Sequence, residues 1–90
     1  MPIGRDIIDL LCDAVDLAAS RKVIGPATIQ RKIRVGFARA AHLNDLLEAN
    51  GIVRRQPGTL ACDVLITEAD AADVKARLRE IAAAEPGLPR

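Results

Sequence analysis

The chain is nearly without aromatic side chains, with Phe37 the only one among 90 residues. Single-stranded nucleic acids are held largely by bases stacked on Phe, Tyr or Trp, so this poverty argues against that ligand class. Cysteine is scarce too. Cys12 and Cys62 lie far apart, and with one histidine (His42) they form no zinc-ligand spacing, so neither a metal site nor a disulfide is expected. Each reads as a reduced core residue: Cys12 in line with Ile8, Leu11 and Val15, and Cys62 alternating with Leu60, Val64 and Ile66. No apolar run approaches the roughly 20 residues that cross a bilayer, and the N-terminus lacks the basic-then-apolar pattern of a secretory leader. A cytoplasmic location without a membrane partner follows. His42 has neither a nucleophile nor an orienting group suggested nearby, so the chain is not expected to be an enzyme. No catalytic residue, cofactor or small-molecule substrate is expected.

What the chain does have is aliphatic residues and sorted charge. Half its residues are hydrophobic, so a core of Leu, Ile, Val and Ala is expected, mostly helical with a few strands. The net charge of +1 conceals a division. Residues 20–55 hold eight Lys or Arg against two acids, net +6, while residues 1–19 carry net −3 and residues 56–90 net −2. A basic block between acidic flanks steers a polyanion to one face. The plainer alternative is a solvated charged surface.

The spacing predicts a first helix over about 6–19, with Asp6, Asp9, Asp13 and Asp16 as one polar stripe and nearly everything else apolar. One side (Ile8, Leu11, Val15) suits the core, and the other (Ile7, Leu10, Ala14, Leu17) needs a cover. Lys22-Val23-Ile24 is a strand candidate, and Gly25-Pro26 opens a second helix with Pro at its first position. That helix stops at Val35-Gly36, where Gly36 is expected to supply a left-handed turn. A longer helix over about 37–50 carries Phe37, Ala40, Leu43 and Leu47 inward and ends at Gly51. Ile52–Arg55 and Leu60–Ile66 read as strands joined by a type II turn at Pro57-Gly58. Thr67, with Asp70 three residues on, starts a last helix over about 68–84, with Ala71, Val74, Leu78 and Ile81 as its apolar stripe. The tail 85–90 is expected to be loose. The order helix-strand-helix-helix-strand-strand-helix is a winged helix-turn-helix: mostly α with a small β-hairpin, one domain over 1–90 and a core of about 6–66.

Gln30-Arg31-Lys32-Ile33-Arg34-Val35-Gly36-Phe37-Ala38-Arg39-Ala40-Ala41, followed by Glu48-Ala49-Asn50-Gly51-Ile52-Val53, resembles the gamma domain of FtsK/SpoIIIE-type DNA translocases. That family carries a Gln-Arg, Arg-Ile-Gly-Tyr, Arg-Ala-Ala run and a Glu-x-x-Gly-Ile/Val ending, and the resemblance covers roughly residues 10–66. It implies a winged helix that reads short, G-rich, directional DNA motifs and orients a translocating motor. The motor's Gly-x-x-x-x-Gly-Lys-Ser/Thr phosphate loop is absent, and the helix from Glu68 lies beyond the family's usual end. The family's base-reading Asn, Arg and Glu are replaced by Ala38, His42 and Asp45, so the family's motif does not carry over.

The expected partner is double-stranded DNA, entered in its major groove by the helix at 37–50. Ala38, Arg39, His42 and Asp45 are the expected base-readers. Thr28, Gln30, Arg31, Lys32 and Arg34, with Arg54 and Arg55 at the wing, are the expected backbone contacts. A small transcription regulator, or a DNA-targeting factor associated with the nucleoid, would use such a module. A winged-helix module that binds an acidic protein instead of DNA is the alternative. The uncovered side of the first helix points to a homodimer through the first and last helices, or to the last helix capping its own chain.

Overall fold

The computed structural model describes residues 7–84, so Asp6 and the tail 85–90 lie outside the described residues. The elements are α1 (Ile7–Ala19), β1 (Val23–Ile24), α2 (Pro26–Ile29), α3 (Phe37–Ala49), β2 (Val53–Arg55), β3 (Cys62–Val64) and α4 (Glu68–Ala84). After α2 the chain widens into a π turn, Gln30–Arg34. The mostly helical winged-helix architecture expected from the sequence is what forms.

Three short strands make an antiparallel sheet in the order β1-β3-β2. Ile24 and Arg55 both face Cys62 across the sheet. Every helix and all three strands contribute to one core, in which Val15, Ile24, Ile29, Leu43, Leu47, Ile52 and Val53 are almost fully enclosed. The hairpin is shorter than its apolar alternation suggests. Cys62 is buried; Leu60 is exposed because pairing ends at Cys62 and the chain before it turns outward, and Val64 and Ile66 are half-buried. Gln56 N–H donates to the Ala61 carbonyl at 3.0 Å and closes that loop. Gly58 has φ +78°, as the third position of a type II turn requires.

The turn between α2 and α3 departs from expectation. Gly36 is extended (φ −68°, ψ 163°) and acts as the N-cap of α3, its carbonyl accepting from Ala40 N–H at 3.0 Å. The left-handed residue is Arg34, with φ +64°. A π turn carries one extra residue per hydrogen-bonded ring, and its exit, two residues earlier than Gly36, is where the chain must reverse. Gly51 does take the left-handed C-terminal position of α3, at φ +74°. The two glycines therefore predict different outcomes. Gly51→Ala should cost about 1 kcal/mol or more in urea unfolding, because a Cβ strains that conformation. Gly36→Ala should stay within about 0.5 kcal/mol, since an added Cβ meets nothing within 4 Å. Equal losses at both sites would contradict this assignment.

α1 packs against α3 on one side and α4 on the other. The apolar stripe of α4 is Ala71, Val74 and Leu78, all buried against α1. Ile81 is 38% exposed, because α4 runs antiparallel to α1 and has by then reached its first turn. α4 lies on the side of α1 that carries Asp9, Cys12 and Asp16, whereas Leu10 and Ala14 are buried and Ile7 and Leu17 half-buried in the common core, so packing within the chain accounts for both sides of α1 without a partner helix. The acids of α1 are also not a free solvent stripe. Asp16 meets Lys75 Nζ at 2.9 Å and Asp9 meets Arg79 Nη1 at 3.2 Å, both on α4. Cys12 is buried as expected, close to those pairs on the α4 side, and burial raises its thiol pKa above the ordinary value. α4 begins as expected: Thr67 donates its N–H and its hydroxyl to Asp70 Oδ2 at 2.9 and 3.0 Å. Those bonds lower the Asp70 pKa, so their contribution is present above the ordinary carboxylate range and is lost as pH falls through it.

Candidate nucleic-acid interface

Thirteen residues of α3 divide by face at 100° per residue. Ala40, Leu43, Asn44 and Leu47 point inward and are buried. The opposite face carries Ala38, His42 and Asp45, all exposed, so the structure brings these three together as the spacing suggests. Arg39 is exposed on one flank of that face, beside half-buried Leu46. Phe37 lies on the other flank and does not belong to the core: it is 52% exposed. Its ring, Val23 and Leu60 border an open groove between the start of α2 and the wing, with Arg21 at its rim.

The π turn presents Gln30, Arg31, Lys32 and Arg34, all exposed, just before α3, with Thr28 half-buried in α2. Among the described residues, none of Arg31, Lys32, Arg34 and Arg39 meets a carboxylate. The wing cations differ. Arg54 Nη2 lies 4.0 Å from Asp63 Oδ2, and Asp63 Oδ1 also accepts from Gln56 Nε2 at 2.8 Å. Arg55 Nη2 sits 3.2 Å from Asp45 Oδ1 and 3.5 Å from Glu48 Oε1, linking the wing to the reading face of α3. Of the residues picked from sequence, Asp45 and Arg55 thus occupy each other, Arg54 faces Asp63, and Arg31, Lys32, Arg34 and Arg39 are exposed.

Asn44 was missed in the sequence, although 40, 43, 44 and 47 form an inward set at helical spacing. It is fully buried, its Nδ2 lies 3.6 Å from Cys62 Sγ, and its Oδ1 is without a hydrogen-bond partner among the described residues. This polar contact links α3 to the middle strand of the sheet. No group of three or more His, Cys, Asp or Glu among the described residues is placed to hold a metal ion. No described helix is long and apolar enough to cross a membrane.

The family described as the Ftsk gamma domain matches residues 7–67, from the start of α1 to the end of the hairpin strands. A DNA translocase FtsK of Streptomyces avermitilis is 43% identical over 81 residues, 90% of this chain and 9% of the relative. That of Streptomyces coelicolor is 47% identical over 64 residues, 71% of the chain and 7% of the relative. That of Mycobacterium tuberculosis H37Rv is 40% identical over 77 residues, 86% of the chain and 9% of the relative. The chain therefore spans less than a tenth of the length of these relatives. An alignment over 81 of 90 residues must include residues 10–81, so the first relative shares most of α4 even though the family match ends before it. No solved structure matches. The helix-turn-helix with its hairpin, the Arg-Ala-Ala run on α3 and the extent of these matches agree: the chain belongs to the FtsK gamma domain family.

Proposed function

We propose that the chain binds double-stranded DNA and reads its sequence, with α3 in the major groove and the π turn and wing on the flanking backbone. The observation that carries this is the sorting of cations. Among the described residues, Arg54, Arg55, Lys75 and Arg79 each sit against a carboxylate, whereas Arg31, Lys32, Arg34 and Arg39, grouped on the helix-turn-helix, meet none, and neither do Arg21 and Lys22 just before it or Arg77 on α4. Exposed cations without an intramolecular partner repel one another, and a polyphosphate relieves that repulsion by releasing its counterions. Thr28, Gln30, Arg31, Lys32, Arg34 and Arg54 serve the backbone, while Ala38, Arg39, His42 and Asp45 face the bases. Ala38 suits a thymine methyl, Arg39 guanine, and Asp45 the amino group of cytosine. The relatives are named as DNA translocases, so the role that fits best is the targeting element of such a motor, acting at the nucleoid. A free-standing regulator is a narrower use of the same surface.

Selection of duplexes from a random-sequence pool tests the reading directly, and an enriched motif is the expected result. Arg39→Ala should cost about 1–3 kcal/mol on the recovered duplex if Arg39 pairs bidentately with guanine. An unenriched pool, with no duplex binding at micromolar protein and low salt, would defeat the proposal. It would leave the second reading, a protein-interaction module, which the apolar groove of Val23, Phe37 and Leu60 favours.

A further inference from the structure

The wing arginine that reaches α3 has a role that its charge alone does not suggest. Arg55 places one nitrogen, Nη2, between Asp45 Oδ1 and Glu48 Oε1. Its backbone is held in register by pairing with Cys62, the residue that also contacts Asn44 of α3. The Gln56–Ala61 hydrogen bond closes the loop just beyond it. The guanidinium therefore extends from a fixed strand onto a fixed helix, and at 38% exposure it is more enclosed than either carboxylate. Asp45 and Glu48 are three residues apart on α3, a spacing at which like charges repel and splay. A cation shared between them removes that repulsion and fixes one oxygen of Asp45. The other oxygen, Oδ2, has no hydrogen bond among the described residues and stays on the outward face with Ala38 and His42.

We propose that Arg55 is a positioning residue for base recognition: it aims Asp45 at its base rather than clamping a phosphate. This rests on the DNA-reading proposal above and deepens it. In solution an exposed pair of this kind contributes little to stability. Against DNA, where water is displaced, the same contact strengthens. A phosphate that took Arg55 for itself would leave two adjacent carboxylates uncompensated at the groove, so the geometry favours the internal pairing.

The test compares Arg55→Lys, Arg55→Gln and Asp45→Asn on the duplex recovered by selection, and on the same duplex altered at one base pair at a time. Asp45→Asn first identifies the base pair that depends on Asp45. Arg55→Lys keeps the charge but loses the planar fork that spans two acids. It should keep the salt dependence while reducing discrimination at that base pair about five- to tenfold. On the Asp45→Asn background it should reduce discrimination no further. A phosphate clamp behaves differently: Arg55→Lys would keep full discrimination, and Arg55→Gln would weaken every duplex alike with a salt slope smaller by about one. That pattern, or an Asp45→Asn variant with unchanged base preference, overturns the proposal while the selected motif still supports DNA reading. A wild-type pool without any motif overturns both.

Discussion

Changing Arg31, Lys32, Arg34 and Arg39 together to Ala will lower duplex affinity about a thousandfold at roughly 0.1 M salt, with no comparable loss of stability. Each cation that neutralises a phosphate contributes about 0.9 to the slope of log K against log salt, so removing Arg31, Lys32 and Arg34 flattens it by about 2.7. Extrapolated from the roughly 1 M reference where that term vanishes, the difference at tenfold lower salt is nearly three decades, and loss of the Arg39 contact with guanine adds to it. All four side chains are exposed and meet no carboxylate among the described residues, so the fold loses no contact with them. The matching control is Lys75→Ala with Arg79→Ala, which removes two cations that Asp16 and Asp9 already neutralise on the α4 side. Its effect on DNA should be several-fold at most. Fluorescence anisotropy across a salt series measures both. Equal losses from the two sets would mean that only net charge matters and that the helix-turn-helix is not the contact surface.

Leu78→Asp has the largest expected effect on structure. Leu78 is 4% exposed in the interface of α4 with α1, beside Val74 and Ala71. Losing its side chain from a packed site costs about 2–5 kcal/mol, and burying an unpaired carboxylate adds to that. Releasing α4 is a cheaper response, because among the described residues its main packing contact is with α1 and the rest of its surface is already mostly exposed. Circular dichroism should then lose most of the signal of a 17-residue helix. Cys12, buried beneath the same helix, should become reactive to a thiol reagent. Duplex binding should survive, since α2, α3 and the wing do not depend on α4. If Cys12 stays protected and the helical signal is unchanged, α4 is held by something other than this stripe.

Much of this arrangement was legible in the residues. Periodicity placed α1, α3 and α4 within a residue or two, while the second helix began at Pro26 as expected but gave way to the π turn after Ile29. Pro26, Gly51, Pro57-Gly58 and the Thr67/Asp70 pair marked ends and turns through backbone chemistry that is local. What was not legible depends on partners distant in sequence. The pairing of Arg55 with Asp45 and of Lys75 with Asp16 needs the relative placement of whole elements, which spacing along one element does not encode. Phe37 reads as core because it is the largest apolar residue in its helix. Its angle about the axis, 60° from Ala40, takes it to the groove instead. The left-handed turn went to Arg34 rather than Gly36 because a π turn shifts the reversal point, and nothing in the residue types announces an i→i+5 hydrogen bond. The last helix was visible as an amphipathic stripe, but whether its cover lay in the same chain or a second one was a question of connection length that packing alone answered.

The way α3 divides its residues between fold and surface bears on how this domain can be re-targeted. Ala40, Leu43, Asn44 and Leu47 are committed to the interior, whereas Ala38, Arg39 and His42 are exposed. A combinatorial library at those three positions should therefore return mostly folded proteins, each with its own base preferences. Asp45 is the exception, because its side chain is shared with the wing. Varying it alone would strand Arg55 on Glu48, so a useful library varies 45 and 55 jointly, and lineages that change their target sequence should be found to exchange those two residues as a unit.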